Sequence, residues 1–242
     1  MREAAIQVIA HRGDCTAAPE NSLASIQAAL NSGCRLLEID VQLSSDGVPV
    51  LFHDRDCKRL LRNPMPGAIA DYPIATLQQW QIEEHERLPA IRASLTLLSE
   101  VVTQLVNHPD VTLFVEVKRA ALERFSYAQL FDTLMETLRP ILLQSVLISF
   151  SLPFLRYARA HHGQRLGVVL GDWEWLKDRT IEQIAPEYIF CNIERVPEKE
   201  CFTTQHPQWV IYEVGSEALR DDLARRGITM IESFFPAKLM AK

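Results

Sequence analysis

Eight short apolar runs rich in β-branched residues recur along the chain: Ile6–Ala10, Leu36–Val41, Thr112–Val117, Ser145–Ser149, Arg165–Val169, Tyr188–Asn192, Gln208–Glu213 and Met230–Glu232. Between them apolar residues fall three and four apart, as in Leu23, Ile26 and Leu30 or Leu98, Val101, Val102 and Leu105, which is the signature of amphipathic helices. Strands that alternate with helices pair in parallel, because each helix carries the chain back to the start of the next strand. Eight such units predict a closed (β/α)8 barrel of the TIM type, and 242 residues, 48% of them apolar, suffice to build it as a single domain over 1–242.

Local signals mark the first unit. Pro19-Glu20-Asn21-Ser22 offers polar caps ahead of the first helix, with Asn21 read as the cap and Glu20 as a partner for Arg12, and Asn31-Ser32-Gly33 ends the helix. One segment breaks the rhythm. After Asp46-Gly47 the run Val48–Phe52 is expected to fold back along the second strand, and the following stretch carries Pro64, Pro66, Gly67, Pro73 and Pro89. A connection that long implies a small insertion, placed at residues 55–92.

Composition removes some classes of function. The net charge is −6, from 31 acidic and 25 basic residues without a basic run, so nothing offers the electrostatic footprint of a nucleic-acid binder. Cys15, Cys34, Cys57, Cys191 and Cys201 form no C-x-x-C pair, which fits a reducing compartment better than a disulfide framework. Met1–Ala10 is short for a leader, and no apolar run reaches the roughly 18 residues of a membrane span. The expectation is a cytoplasmic protein with a small-molecule partner, no stable membrane insertion and no assigned oligomeric state.

The chemistry gathers where barrels of this class keep it, at the C-terminal ends of the strands. His11 and Arg12 follow the first strand, Glu38 and Asp40 end the second, and Glu116 and Lys118 end the third. Residues two apart on a strand share a face, so Glu38, Asp40 and Glu116 can present three carboxylates to one ion. Brought together without a cation they would raise one another's pKa. Oxygen-only ligands select one hard divalent cation, Mg²⁺ or Ca²⁺. The competing reading leaves Glu38 and Asp40 in ion pairs with Lys118, Arg12 or Arg35.

His11 and His53 each end an apolar run beside a charged neighbour, Arg12 or Asp54. Two imidazoles in one mouth can divide the work of taking a proton from the attacking oxygen and giving one to the leaving oxygen. His85, His108, His161, His162 and His206 lie away from strand ends and receive no role. Arg12 and Lys118 supply a planar fork and a point charge suited to a phosphoryl group. The combination points to phosphoryl transfer from an ester rather than to glycoside hydrolysis.

These residues also carry a resemblance. H-R-G at His11–Gly13, P-E-N-S at Pro19–Ser22, E-x-D at Glu38–Asp40, S-x-D-G at Ser44–Gly47, H-D at His53–Asp54, E-x-K at Glu116–Lys118 and S-F at Ser149–Phe150 resemble the glycerophosphodiester phosphodiesterase family in order and spacing. The resemblance implies hydrolysis of glycerophosphodiesters, such as glycerophosphocholine or glycerophosphoethanolamine, to sn-glycerol 3-phosphate and an alcohol. It also implies His11 and His53 as the acid–base pair, Glu38, Asp40 and Glu116 as metal ligands, and Arg12 and Lys118 as phosphate ligands. Two alternatives keep the same site: a lysophospholipid-cleaving enzyme with an acyl groove at Leu60, Leu61, Met65 and Ile69, and an inactive barrel that binds the diester.

The second half departs from the family pattern. Where W-T-V-N is common, the chain reads Tyr212-Glu213-Val214-Gly215; where T-D-x-P is common, it reads Glu232-Ser233-Phe234-Phe235-Pro236. Glu213 and Glu232 are therefore expected to add negative charge to the mouth beside an aromatic wall of Phe150, Trp173, Trp175 and Tyr212. That wall suits a cationic alcohol such as choline or ethanolamine. The competing reading pairs both glutamates with Arg165, Arg225 or Arg226 and packs both tryptophans in the fifth helix.

Overall fold

The computed structural model describes residues 6–61, 66–83, 91–161, 163–202 and 206–240; Met65, His85 and His162 fall outside them. Its strands are β1 (Gln7–His11), β2 (Leu36–Leu43), β3 (Pro49–Leu51), β4 (Gln81–Glu83), β5 (Arg92–Ser94), β6 (Thr112–Val117), β7 (Ser145–Ser149), β8 (Leu166–Val169), β9 (Tyr188–Asn192), β10 (Gln208–Tyr212) and β11 (Met230–Ser233). Eight of them run in the order β1-β11-β10-β9-β8-β7-β6-β2, every pair is parallel, and β1 pairs with β2 to close the ring. This is the (β/α)8 barrel that the strand–helix alternation predicts. The eight expected runs match the eight barrel strands to within a residue or two. β2 reaches Leu43 because Gln42 and Leu43 pair with β3, the folded-back segment, which lies antiparallel on it.

Side-chain alternation divides the core in two. Val8, Ala10, Leu37, Ile39, Val41, Val115 and Ile231 face the surrounding helices, including Leu23–Asn31, Leu98–Leu105 and Tyr127–Leu138. Ile9, Phe114, Val146, Ile148, Val169, Phe190, Val210 and Met230 fill the barrel interior. Residues two further along the inward face of β1, β2, β6 and β11 are His11, Glu38, Asp40, Glu116 and Glu232. A greasy plug thus forms the floor on which the polar end of the barrel rests.

The first helix is capped by Ser22, not Asn21. Ser22 Oγ accepts from Ser25 N at 3.1 Å and Ser25 Oγ accepts from Ser22 N at 3.2 Å, a reciprocal capping box. Asn21, in the left-handed region at φ 55°, is turned inward instead. The insertion builds its own small core from Val50, Phe52, Cys57, Leu60, Leu61, Ile69, Leu77, Ile82 and Leu95, with β4 and β5 as a short antiparallel pair. Leu60, Leu61 and Ile69 are at most 3% exposed, so none of these three lines an open acyl groove.

Candidate active site

Strand register assembles the centre. His11 on β1 stands beside Glu38 on β2, and Asp40 on β2 stands beside Glu116 on β6. On the other flank of β1, Ile9 pairs with Glu232 of β11. All of these side chains are buried. Carboxylate oxygens of Glu38, Asp40 and Glu116 come within 4.8 Å of one another. His11, Arg12, Glu38, His53, Glu116 and Lys118 line one cavity of about 560 Å³ at the C-terminal mouth. It is joined there by Phe150, Trp175, Tyr212, Glu213 and Glu232.

The ion pairs offered as the alternative to a metal do form, but unevenly. Lys118 Nζ lies 2.7 Å from Glu116 and 3.1 Å from Asp40 Oδ1, and Arg12 Nε lies 3.0 Å from Asp40 Oδ2. Arg35 instead pairs with Asp110 at the surface. Glu38 gains a hydrogen bond from the Arg12 backbone N–H at 3.2 Å, while its Oε1 is buried without a hydrogen-bond partner. An oxygen-only donor set that retains a bare buried oxygen fits a hard divalent ion.

Burial works to raise the Asp40 carboxyl, but Lys118 and then Arg12 outweigh it and hold the group well below the usual range. Glu38 moves the other way: burial first, then repulsion from Asp40, Glu232 and Glu116, push it up. Burial also raises Glu116 in spite of Lys118. For His11, burial and then Arg12 disfavour the charged ring, which stays neutral near pH 7.

Several participants escape sequence reasoning. Asn21 Nδ2 donates to Asp40 Oδ2 at 2.9 Å, and the Asp40 N–H donates to Asn21 Oδ1 at 3.1 Å, so the side chain locks Asp40 at both ends. Arg59, from the insertion, grips Glu20 through both terminal nitrogens (3.0 and 2.8 Å) and Asp54 through Nε and Nη2 (2.7 and 2.8 Å). Glu20 in turn accepts from Arg12 Nη1 at 2.9 Å, as the sequence implies, and Asp54 meets His53 Nδ1 at 2.8 Å. One guanidinium thereby ties Arg12 to His53. Phe234 stacks on His11 with ring centroids 4.2 Å apart.

Backbone geometry is special at the same place. Arg12 adopts φ 60° and Gly13 φ 84°, and a Cβ on Gly13 would lie 2.4 Å from Ser25 Oγ. Glycine is the residue that fits, and the turn aims Arg12 back across the barrel end.

The wall on the far side differs from expectation. Trp175 lines the cavity, whereas Trp173 stacks on Trp209 at 5.4 Å and is packing; both belong to a 3₁₀ turn, Trp173–Lys177. The Arg119 guanidinium sits over Phe150 at 5.1 Å and Trp175 at 5.9 Å. Glu213 accepts from Asn192 Nδ2 at 2.7 Å. Neither glutamate pairs with the arginines considered for it: Arg165 bonds the Leu143 carbonyl, Arg225 bonds Asp222, and Arg226 bonds the Pro197 and Glu200 carbonyls. Glu232 lines the cavity, buried deep beside His11 and Glu38. Cys15 is buried, its Sγ 3.4 Å from the His11 carbonyl, and is not presented to the cavity.

A sequence model of the glycerophosphoryl diester phosphodiesterase family matches residues 11–160. The chain belongs to this family. It is 31% identical over 179 residues to glycerophosphodiester phosphodiesterase 1 of Rattus norvegicus, covering 72% of this chain and 51% of that one. It is 35% identical over 117 residues to the Mus musculus protein of the same name, covering 47% of this chain and 34% of that one. The chain thus spans about a third to a half of the length of these curated relatives. Among solved structures, an Oleispira antarctica phosphodiesterase in complex with the product sn-glycerol-3-phosphate superposes with a TM-score of 0.80 at 24% identity, covering 97% of this chain and 95% of that one. That likeness shows the fold. The matched family segment, His11 to Ala160, contains both histidines, the three carboxylates, Arg12 and Lys118. Among the described residues no helix is long and apolar enough to cross a membrane.

Proposed function

We propose that this family member hydrolyses glycerophosphodiesters to sn-glycerol 3-phosphate and an alcohol, with one hard divalent ion, Mg²⁺ or Ca²⁺, held by Glu38, Asp40 and Glu116. The observation that carries the reading is one cavity lined by Glu38, Glu116, Arg12, Lys118, His11 and His53, with Asp40 buried against the two glutamates within 4.8 Å. The product named for the Oleispira antarctica relative supports the glycerol 3-phosphate side of the reaction.

The bound ion would polarise the phosphoryl oxygens and stabilise the charge that builds on them in the transition state. Arg12 and Lys118 hold the same oxygens from the protein side. His11, neutral through its burial, accepts the proton of the attacking hydroxyl, whether of water or of the glycerol's own neighbouring carbon. His53, its Nδ1 engaged by Asp54 at 2.8 Å, keeps Nε2 for delivering a proton to the leaving oxygen. Phe150, Tyr212 and Glu213 form the wall against which the alcohol lies.

The test is release of glycerol 3-phosphate from glycerophosphocholine and glycerophosphoethanolamine, in EDTA and after Mg²⁺ or Ca²⁺ is added back, beside His11→Ala, His53→Ala and Glu116→Gln. Activity that disappears with the metal and falls at least a hundredfold in each variant is expected. Turnover that persists in EDTA would refute the metal centre, and no turnover of either diester by folded, metal-loaded protein would refute the substrate class.

A further inference from the structure

Glu232 is the anomaly of the centre. It is a fourth carboxylate, 3% exposed, with Oε1 bare of any hydrogen-bond partner. The two cations of the centre are committed elsewhere, Lys118 to Asp40 and Glu116 and Arg12 to Asp40 and Glu20. A buried carboxylate with an oxygen left unpartnered is expensive enough to require an account. Its position follows from strand parity: Glu232 shares the inward face of β11 with Met230, next to β1.

The surroundings supply one. Ligand atoms of His11, Glu38 and Glu232 all lie within 4.8 Å of one another. Each of the three residues also carries a buried polar atom without a hydrogen-bond partner: His11 Nδ1, Glu38 Oε1 and Glu232 Oε1. His11 Nε2 lies 3.9 Å from Glu38 Oε2, and three buried side chains whose ligand atoms converge, each with an unsatisfied polar atom, form a donor set rather than scattered defects.

We propose that His11, Glu38 and Glu232 form a second cation site, selective for a borderline transition dication such as Zn²⁺, beside the oxygen-only site of Glu38, Asp40 and Glu116. An imidazole nitrogen with two carboxylates suits Zn²⁺ or Mn²⁺, whereas Mg²⁺ and Ca²⁺ prefer oxygen alone. Glu38 belongs to both donor sets and can give one oxygen to each ion, the arrangement by which paired metal sites hold their ions about 4 Å apart. The consequence rests on the proposed reaction: a ring nitrogen of His11 bound to an ion cannot take a proton, so the second ion inhibits while the first activates.

Equilibrium dialysis of the Cys201→Ser protein, which removes the exposed thiol, tests this with Mg²⁺ saturating and Zn²⁺ titrated, both metals counted by elemental analysis. The expected result is one tightly bound Zn²⁺ per chain with Mg²⁺ retained. Glu232→Gln and His11→Ala should each weaken that Zn²⁺ at least tenfold, while Glu116→Gln should lose Mg²⁺ and keep Zn²⁺. Zinc that displaces Mg²⁺ one for one, or that binds folded Glu232→Gln or His11→Ala as it binds the parent, would overturn the second site. Failure of the hydrolytic reading would show separately, as a protein that turns over no diester with Mg²⁺ alone bound and Zn²⁺ absent.

Discussion

Asn21→Asp separates two roles that local sequence cannot. A helix N-cap accepts aspartate as readily as asparagine, so a capping Asn21 would tolerate the change. In the structure, however, Asn21 Nδ2 is 2.9 Å from Asp40 Oδ2 and both residues are 1% exposed. A carboxylate oxygen in place of that nitrogen meets a like charge at the same distance, a repulsion of about 6 kcal/mol at an effective dielectric of 20. The new group escapes by protonating, and holding a carboxyl of pKa about 3.9 neutral at pH 7 costs about 4 kcal/mol. The smaller figure sets the ceiling, and partial relaxation leaves a destabilisation of about 2–4 kcal/mol at pH 7. The sign with pH follows. The new carboxyl titrates higher in the folded chain than in the unfolded one, so the deficit is full at neutral pH and shrinks as pH falls toward about 4. Urea unfolding of wild type and variant in EDTA at a series of pH values measures it. A variant within 0.5 kcal/mol of wild type at pH 7 would refute the Asn21–Asp40 contact and restore Asn21 as a cap. Ser22→Ala, at the observed cap, should cost only about 1 kcal/mol with no such pH dependence.

Gly13→Ala should destabilise by about 2–5 kcal/mol, since the left-handed φ costs about 1–2 kcal/mol for any other residue and the overlap with Ser25 adds a cost of core-overpacking size; a loss under 1 kcal/mol in chemical denaturation would contradict the tight approach. Arg59→Met should change stability by only about 1 kcal/mol, because the guanidinium is half exposed and screened. It should nonetheless lower kcat about tenfold with little change in KM, since it releases Glu20 from one side and Asp54 from the other; Arg59→Lys should restore only part, lacking the fork that spans both. The same variant should lose less stability in acid. Burial alone would raise the Asp54 carboxyl, but the hydrogen bonds from His53 and Arg59 hold it below the usual range, so the stability it contributes above about pH 4 is lost as pH falls. An acid unfolding profile identical to wild type would remove Arg59 from that role.

What the sequence makes legible, and what it does not, divides along the range of the signal. Alternation with period two in Leu36–Val41 and Thr112–Val117 puts Leu37, Ile39 and Val115 on one face and Glu38, Asp40 and Glu116 on the other, so the carboxylate triad is legible in the strand pattern itself. The same parity, carried to Met230–Glu232, places Glu232 inside the barrel beside β1. Asn21 has no such signal. Asn and Ser are equally good caps and stand side by side, and only a partner 19 residues away, Asp40, decides between them. Arg59 is further out of reach, because it comes from an insertion whose irregular stretch carries no period, and its two partners are brought together by the barrel.

The insertion therefore does more than extend a loop. Its buried core, from Leu60 to Leu95, is continuous with Val50 and Phe52, and Phe52 is one residue before His53. Packing of the insertion fixes where β3 ends and hence where His53 stands, while Arg59 fixes how His53 and Arg12 are oriented relative to each other. In a barrel whose carboxylates are set by strand register, His53, the member of the pair outside the eight strands, needs an independent anchor. A cut in the insertion's core, such as Leu61→Ala at about 2–5 kcal/mol, should accordingly depress turnover through the histidine pair before it unfolds the barrel. A Leu61→Ala protein with its barrel intact and its kcat unchanged would show that His53 is placed by β2 and β3 alone.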